Sequence, residues 1–82
     1  MKAKIIGFEK RDSKYGGHFF YIFFKDEDGK SYRTCADPKC RNFNRWMKLM
    51  PTDKEVWLEG LVVKKGNLID ADSKVEVCND NS

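Results

Sequence analysis

The chain has 82 residues, 40% hydrophobic and 35% charged. That is one domain on length, and a globular rather than a disordered composition. The formal charge is only +3, yet residues 1–65 hold 15 Lys/Arg against 9 Asp/Glu, while residues 66–82 hold Lys74 against Asp70, Asp72, Glu76 and Asp80. A basic body therefore carries an acidic end, which favours an anionic partner.

No apolar run approaches the length of a membrane span. The opening "MKAKIIGFEK" interrupts its short apolar stretch with a charge and offers no small-residue cleavage site, so it does not read as a signal peptide. Three cysteines, an odd number, argue against a secreted disulfide framework. These features predict a cytoplasmic protein.

Residues 2–10, "KAKIIGFEK", predict a first strand, with Ala3 and Ile5 on one parity and Ile6 and Phe8 on the other. "RDSKYGG" (11–17) is a polar loop ending in glycines. "HFFYIFFK" (18–25) predicts a second strand of an unusual kind, because a half-buried strand needs an apolar residue at alternate positions only. Here both parities are apolar: Phe20, Ile22 and Phe24 on one side, Phe19, Tyr21 and Phe23 on the other. "DEDG" (26–29) suits a type I turn with Gly29 in the left-handed conformation, and "KSYRTC" (30–35) returns as a third strand.

Asp37 and Pro38 are good residues for a helix N-cap and first turn, which predicts a helix over 38–50. Phe43, Trp46, Met47 and Met50 share one face of it as core, Arg41, Arg45 and Lys48 lie off that face, and Pro51 ends it. "EVWLEGLVVKK" (55–65) predicts a fourth strand with a bulge or bend at Gly60. A turn at Gly66 leads into a fifth strand, 67–77, broken near Asp72. The expected domain spans 1–78, with 79–82 predicted to be a frayed end.

Five strands with one helix between the third and fourth is the layout of the OB-fold, a small partly open barrel. The chain resembles the OB-fold single-stranded DNA-binding proteins of bacteria and phages. The features that carry the likeness are "IIGFEKR", the hairpin "FFYIFFKDEDGKSYRT", the helix, and "VWLEGLVVKKGNLIDA". The likeness covers nearly the whole chain, but the chain is shorter than the bacterial members and lacks the long disordered acidic tail through which they recruit partners, which puts such recruitment in doubt. The resemblance implies a non-catalytic protein that coats single strands in replication or recombination, without a cofactor.

The residues support the same reading. If Asp26 pairs with Lys30 across the turn, Phe24 faces Tyr32 and Ile22 faces Thr34, and that face is core. The other face then carries Phe19, Tyr21, Phe23 and Lys25 beside Ser31, Arg33 and Cys35. Unpaired bases stack on aromatic rings, and phosphates need cations nearby. An OB-fold binds on its second and third strands, flanked by the first-to-second and fourth-to-fifth loops. Those loops carry Lys10, Arg11, Lys14 and Tyr15 on one side and Lys64 and Lys65 on the other. Trp57, alternating with Val56 and Leu58, faces outward if they face inward, where it either adds a stacking surface or packs on the helix. Other readings remain open. The fold serves equally as an RNA-binding module, or as a protein-interaction module with its rings buried in a homo-oligomer or under a loop.

Other chemistry finds little support. Cys35, Cys40, Cys78 and His18 lack zinc-site spacing. No phosphate loop and no nucleophile–base set is present, so neither a metal nor a catalytic residue is expected. The acidic tip Asp26, Glu27 and Asp28 reads as turn chemistry.

Overall fold

The computed structural model describes residues 1–49 and 56–78. Seven strands and one helix follow in chain order: β1 (Ala3–Asp12), β2 (His18–Asp26), β3 (Ser31–Ala36), α1 (Phe43–Leu49), β4 (Trp57–Glu59), β5 (Val63–Lys64), β6 (Leu68–Ile69) and β7 (Glu76–Cys78). All the strands join one sheet, in the order β5-β6-β3-β2-β1-β4-β7, curled into a half-barrel.

Seven strands replace the expected five because two predicted strands are each cut in two. The stretch 57–64 breaks around Gly60, which adopts φ 87 and separates β4 from β5. A residue in the left-handed region interrupts the regular pleat. The stretch 68–78 breaks after Ile69, where Asp70 builds a turn. Its carboxylate accepts from the Asp72 amide at 3.0 Å, and its carbonyl accepts from the Ser73 amide at 3.0 Å and the Ser73 hydroxyl at 2.6 Å. Ser73 Oγ in turn accepts from the Val62 amide at 3.0 Å, tying the two breaks together. Both ends of the sheet therefore come from the same two chain segments. β4 pairs with β1 and β7, while β5 pairs with β6, which runs parallel to β3. A sheet whose two ends share covalent segments must curl.

The β2–β3 hairpin has the register expected from its turn: Phe24 opposite Tyr32, Ile22 opposite Thr34, Tyr21 opposite Cys35. Asp26 N donates to Lys30 O at 3.0 Å, and Gly29 takes φ 85. β1 is longer than expected and contains a bulge between Ile5 and Gly7. Before the bulge Ala3 faces Asp26; after it Phe8 faces Ile22 and Glu9 faces Tyr21. The extra residue inverts the parity of the strand's second half.

The helix is shorter than predicted. It begins at Phe43, not Pro38, and Asp37 organises a turn instead of a helix cap. Its Oδ1 accepts from the Lys39 amide at 2.7 Å, and its carbonyl accepts from the Cys40 amide at 2.9 Å. Met50, Pro51 and Glu55, assigned above to the helix end and the fourth strand, lie outside the described residues.

The concave face holds the core: Ala3, Ile22, Phe24, Tyr32, Ala36, Trp46, Leu58, Leu61, Ile69 and Val75. α1 closes it with Trp46, which is fully buried, lies edge-on to Phe24 at 5.8 Å and donates its indole N–H to Ala71 O at 2.8 Å. Phe43 and Met47 pack beside it. The buried Thr34 hydroxyl donates a hydrogen bond to Ile69 O at 2.7 Å, fastening β3 to β6. Among the described residues no buried side-chain polar atom lacks a partner.

Candidate functional site

The convex face of β2 carries three half-buried rings in a row, Phe19, Tyr21 and Phe23. Alternation along a strand places them there, since Phe20, Ile22 and Phe24 between them point into the core side. Phe19 and Tyr21 meet edge-to-face with centroids 5.3 Å apart; Tyr21 and Phe23 are 6.4 Å apart and tilted by 34°. Each ring thus supports its neighbour and still presents surface to solvent.

Tyr21 sits between two guanidinium groups from its two neighbouring strands. Arg11 on β1 lies 5.1 Å from the ring centroid and Arg33 on β3 lies 5.7 Å away. Arg11 is further held by Glu9, which lies opposite Tyr21 across the β1–β2 ladder. Arg11 Nε donates to Glu9 Oε1 at 3.1 Å and Nη2 to Oε2 at 3.2 Å. That hydrogen-bonded carboxylate raises the Arg11 pKa above its already high ordinary value.

Below Phe23 the row continues as Lys25, with Ser31 on β3 and Lys4 on β1 opposite it. Trp57 on β4 pairs with Lys4 and occupies the same face, half-buried, with Lys2 and Lys4 each 5.7 Å from its ring. Trp57 is therefore turned away from α1, and it prolongs the aromatic row sideways across three strands.

Two shallow clefts flank the row. One, of about 440 Å³, lies between the β1–β2 turn and the segment after β3, lined by Tyr15, Gly16, His18, Phe19, Cys35 and Pro38. Tyr15 stands 97% exposed at its rim. Ser13 and the two glycines shape this turn, Gly16 and Gly17 both having positive φ. The other cleft, of about 300 Å³, lies between Phe23, Arg33 and the Gly66–Asn67 turn. The Arg33 amide donates to Asn67 O at 3.2 Å, which fixes this turn against β3.

The predicted site residues are distributed as follows. Phe19, Tyr21, Phe23, Lys25, Arg33 and Trp57 share the convex face. Arg11 joins them, but from strand β1 and not from a loop. Lys10 does not join them: it faces Phe20 across the ladder, so its side chain leaves from the opposite face. Lys14 and Tyr15 stay in the β1–β2 turn, and both are exposed. Lys64 lies in β5 and Lys65 in the turn after it; Lys64 is 3.8 Å from Asp70, which offsets part of its charge. His18 pairs with Asp12 at 3.0 Å on the surface.

Sequence reasoning missed Glu9, Lys2 and Lys4. The bulge is the reason for Glu9: without it residues 9 and 11 would fall on the concave side. Gly7 inside a strand was the available signal.

Cys35 also lies on this face, opposite Tyr21. Burial, with Asp37 and Cys40 nearby, pushes its thiol up, so it stays protonated and a poor nucleophile at neutral pH. Among the described residues no group of His, Cys, Asp and Glu is placed to hold a metal ion, and no helix is long and apolar enough to cross a membrane. What the face can offer chemically is flat apolar surface beside fixed positive charge. In comparisons with known proteins the chain matches no family model, no curated protein and no solved structure.

Proposed function

We propose that this chain is a minimal OB-fold protein that binds single-stranded DNA without catalysis, largely independently of sequence. The observation that carries the reading is the row Phe19–Tyr21–Phe23, with Arg11 and Arg33 against the middle ring, on the convex face of β2. Stacked bases would lie on the rings, each contact contributing roughly 1–3 kcal/mol. Arg11, Arg33, Lys25, Lys64 and Lys65 would meet phosphates, and Trp57 would extend the track toward β4. A duplex keeps its base faces stacked on one another, so it is a poor ligand for such a row. The seven-strand order fits an OB barrel whose fourth and fifth strands are each broken. In a cell, coating exposed strands in replication or recombination is the work such a surface suits.

The test is fluorescence anisotropy of a labelled oligo-dT at low and moderate salt, with duplex DNA and an RNA oligomer in parallel. Tight, salt-weakened binding of the single strand and little of the duplex is expected. Equal preference for RNA would widen the ligand to single strands generally. Absence of binding at low salt would overturn the reading and turn attention to a protein partner for the rings.

A further inference from the structure

A surface that only follows a phosphate backbone gains nothing from an acid at its centre. Yet Glu9 lies directly across the ladder from Tyr21, in the middle of the row. Its two oxygens each accept one of two parallel N–H groups, Nε and Nη2 of Arg11, at 3.1 and 3.2 Å. The Arg11 guanidinium carbon is itself 5.1 Å from the Tyr21 centroid. A planar group with two parallel donors thus lies against Tyr21 and points its donors at Glu9.

One nucleobase has that form. The Watson–Crick edge of guanine presents N1–H and an N2 amino hydrogen side by side, matched to a carboxylate. Adenine and cytosine present a single amino group there. Thymine presents one N–H between two carbonyl oxygens, which a carboxylate repels. Single-stranded ligands expose these edges while their faces stack, so both can be read at once.

We propose that Glu9 reads guanine on this face: a guanine stacked at Tyr21 takes the carboxylate from Arg11, and the released guanidinium turns to an adjacent phosphate. This rests on the single-strand-binding reading above and refines it from sequence-independent coating to coating with a guanine preference at one position. The exchange is inexpensive. Glu9 and Arg11 side chains are 49% and 53% exposed, and an exposed ion pair contributes little. Arg33 holds its place against Tyr21 from the other neighbouring strand, so the ring keeps a cation when Arg11 leaves. Arg11 in the unliganded chain is a stand-in for the base edge.

The experiment is an anisotropy competition with the full chain. Labelled oligo-dT is displaced by oligo-dT strands carrying one central guanine, inosine, adenine or thymine. The wild-type chain should prefer the guanine strand over the thymine strand by about tenfold, the lower part of the range for a bidentate base contact because the site is open to water. Inosine, which lacks the 2-amino group, should lose most of that preference. Glu9→Gln should abolish it and bind oligo-dT more tightly, because a negative charge has left a phosphate-bearing face. Circular dichroism would confirm that this surface variant is folded. Equal affinity for the guanine and thymine strands, or a preference that survives in Glu9→Gln, overturns the guanine reading and leaves single-strand binding standing. Failure to bind any oligomer removes both.

Discussion

The two faces of β2 use the same kinds of side chain on one backbone and meet different fates. On the concave side Ile22 and Phe24 are fully buried, covered by Trp46 and by Leu58 and Ile69 from the returning segments. On the convex side Phe19, Tyr21 and Phe23 keep solvent exposure and have guanidinium groups for company. Hydrophobicity therefore does not separate core from surface in this strand; what lies opposite does. The two faces should respond to truncation in opposite ways, and that is the sharpest test of the comparison.

Phe24→Ala should have the largest effect on stability, a loss of about 3–5 kcal/mol, since it empties the space against Trp46 at the centre of a small core. For a domain this size that is a large share of the total. Urea denaturation followed by tryptophan fluorescence measures it, and a loss under about 1 kcal/mol would mean the concave face is not the folding core. The lid over that face depends on the break at Gly60. A Cβ there would run into the Lys74 carbonyl, and the residue already sits at φ 87. Gly60→Ala should cost about 2 kcal/mol or more from backbone conformation and collision together. A neutral result would show that β4 and β5 can join without disturbing the fold.

Tyr21→Ala should invert the pattern. The ring is half-buried on the convex side, so the midpoint of unfolding should move little. Affinity for oligo-dT should fall by roughly 1–3 kcal/mol. Loss of stability without loss of binding would assign Tyr21 to packing and break the distinction between the faces. A smaller effect of the same kind belongs to Arg33→Ala, which should lower the slope of log affinity against log salt by about 0.7, the value for one phosphate on a single strand. An unchanged slope would place Arg33 away from the phosphates and leave it as a partner of Tyr21 alone.

Much of this division was legible before the fold was seen. The double apolar parity of "HFFYIFFK" announced two occupied faces, and the "DEDG" turn gave the register that says which ring goes where. Trp57 followed from its alternation with Leu58. The failures have local causes. The bulge after Ile5 is one inserted residue, which periodicity cannot locate in a short strand, and it moved Arg11 onto the convex face and Lys10 off it. Asp37–Pro38 is as good a start for a turn as for a helix, and here the turn hydrogen bonds of Asp37 won. The breaks at Gly60 and near Asp72 were expected; what no local pattern encodes is that the separated pieces pair at opposite ends of the sheet, tied by long-range contacts such as Val62 with Ser73. The candidate site was thus legible where it rests on β2, β3 and Trp57, and only in part at β1, where Arg11 was expected from a loop and Glu9, Lys2 and Lys4 were missed.

The register that keeps the two faces apart is pinned at one carboxylate, and its effect should be the smallest and most specific. Asp26 Oδ1 accepts from the Lys30 amide at 2.8 Å and the Asp28 amide at 3.0 Å, and Oδ2 accepts from the Tyr32 hydroxyl at 3.2 Å. These donors, the Lys30 amide foremost, hold the carboxyl below its ordinary value, against a smaller opposing effect of desolvation. A group whose pKa is depressed by folding binds more protons unfolded than folded in the interval between the two values. Its contribution is complete above the ordinary aspartate value near 4 and disappears as pH falls through the folded value. Stability should therefore decline with acid below about pH 4, and Asp26→Asn, which keeps an acceptor oxygen but takes up no proton, should flatten that part of the profile. A one-residue slip of the hairpin would exchange the core and convex residues of β3. Thermal unfolding from neutral pH to about pH 3 in both forms decides it: parallel profiles would mean that the turn is set by Gly29 alone and that Asp26 adds nothing to the choice of face.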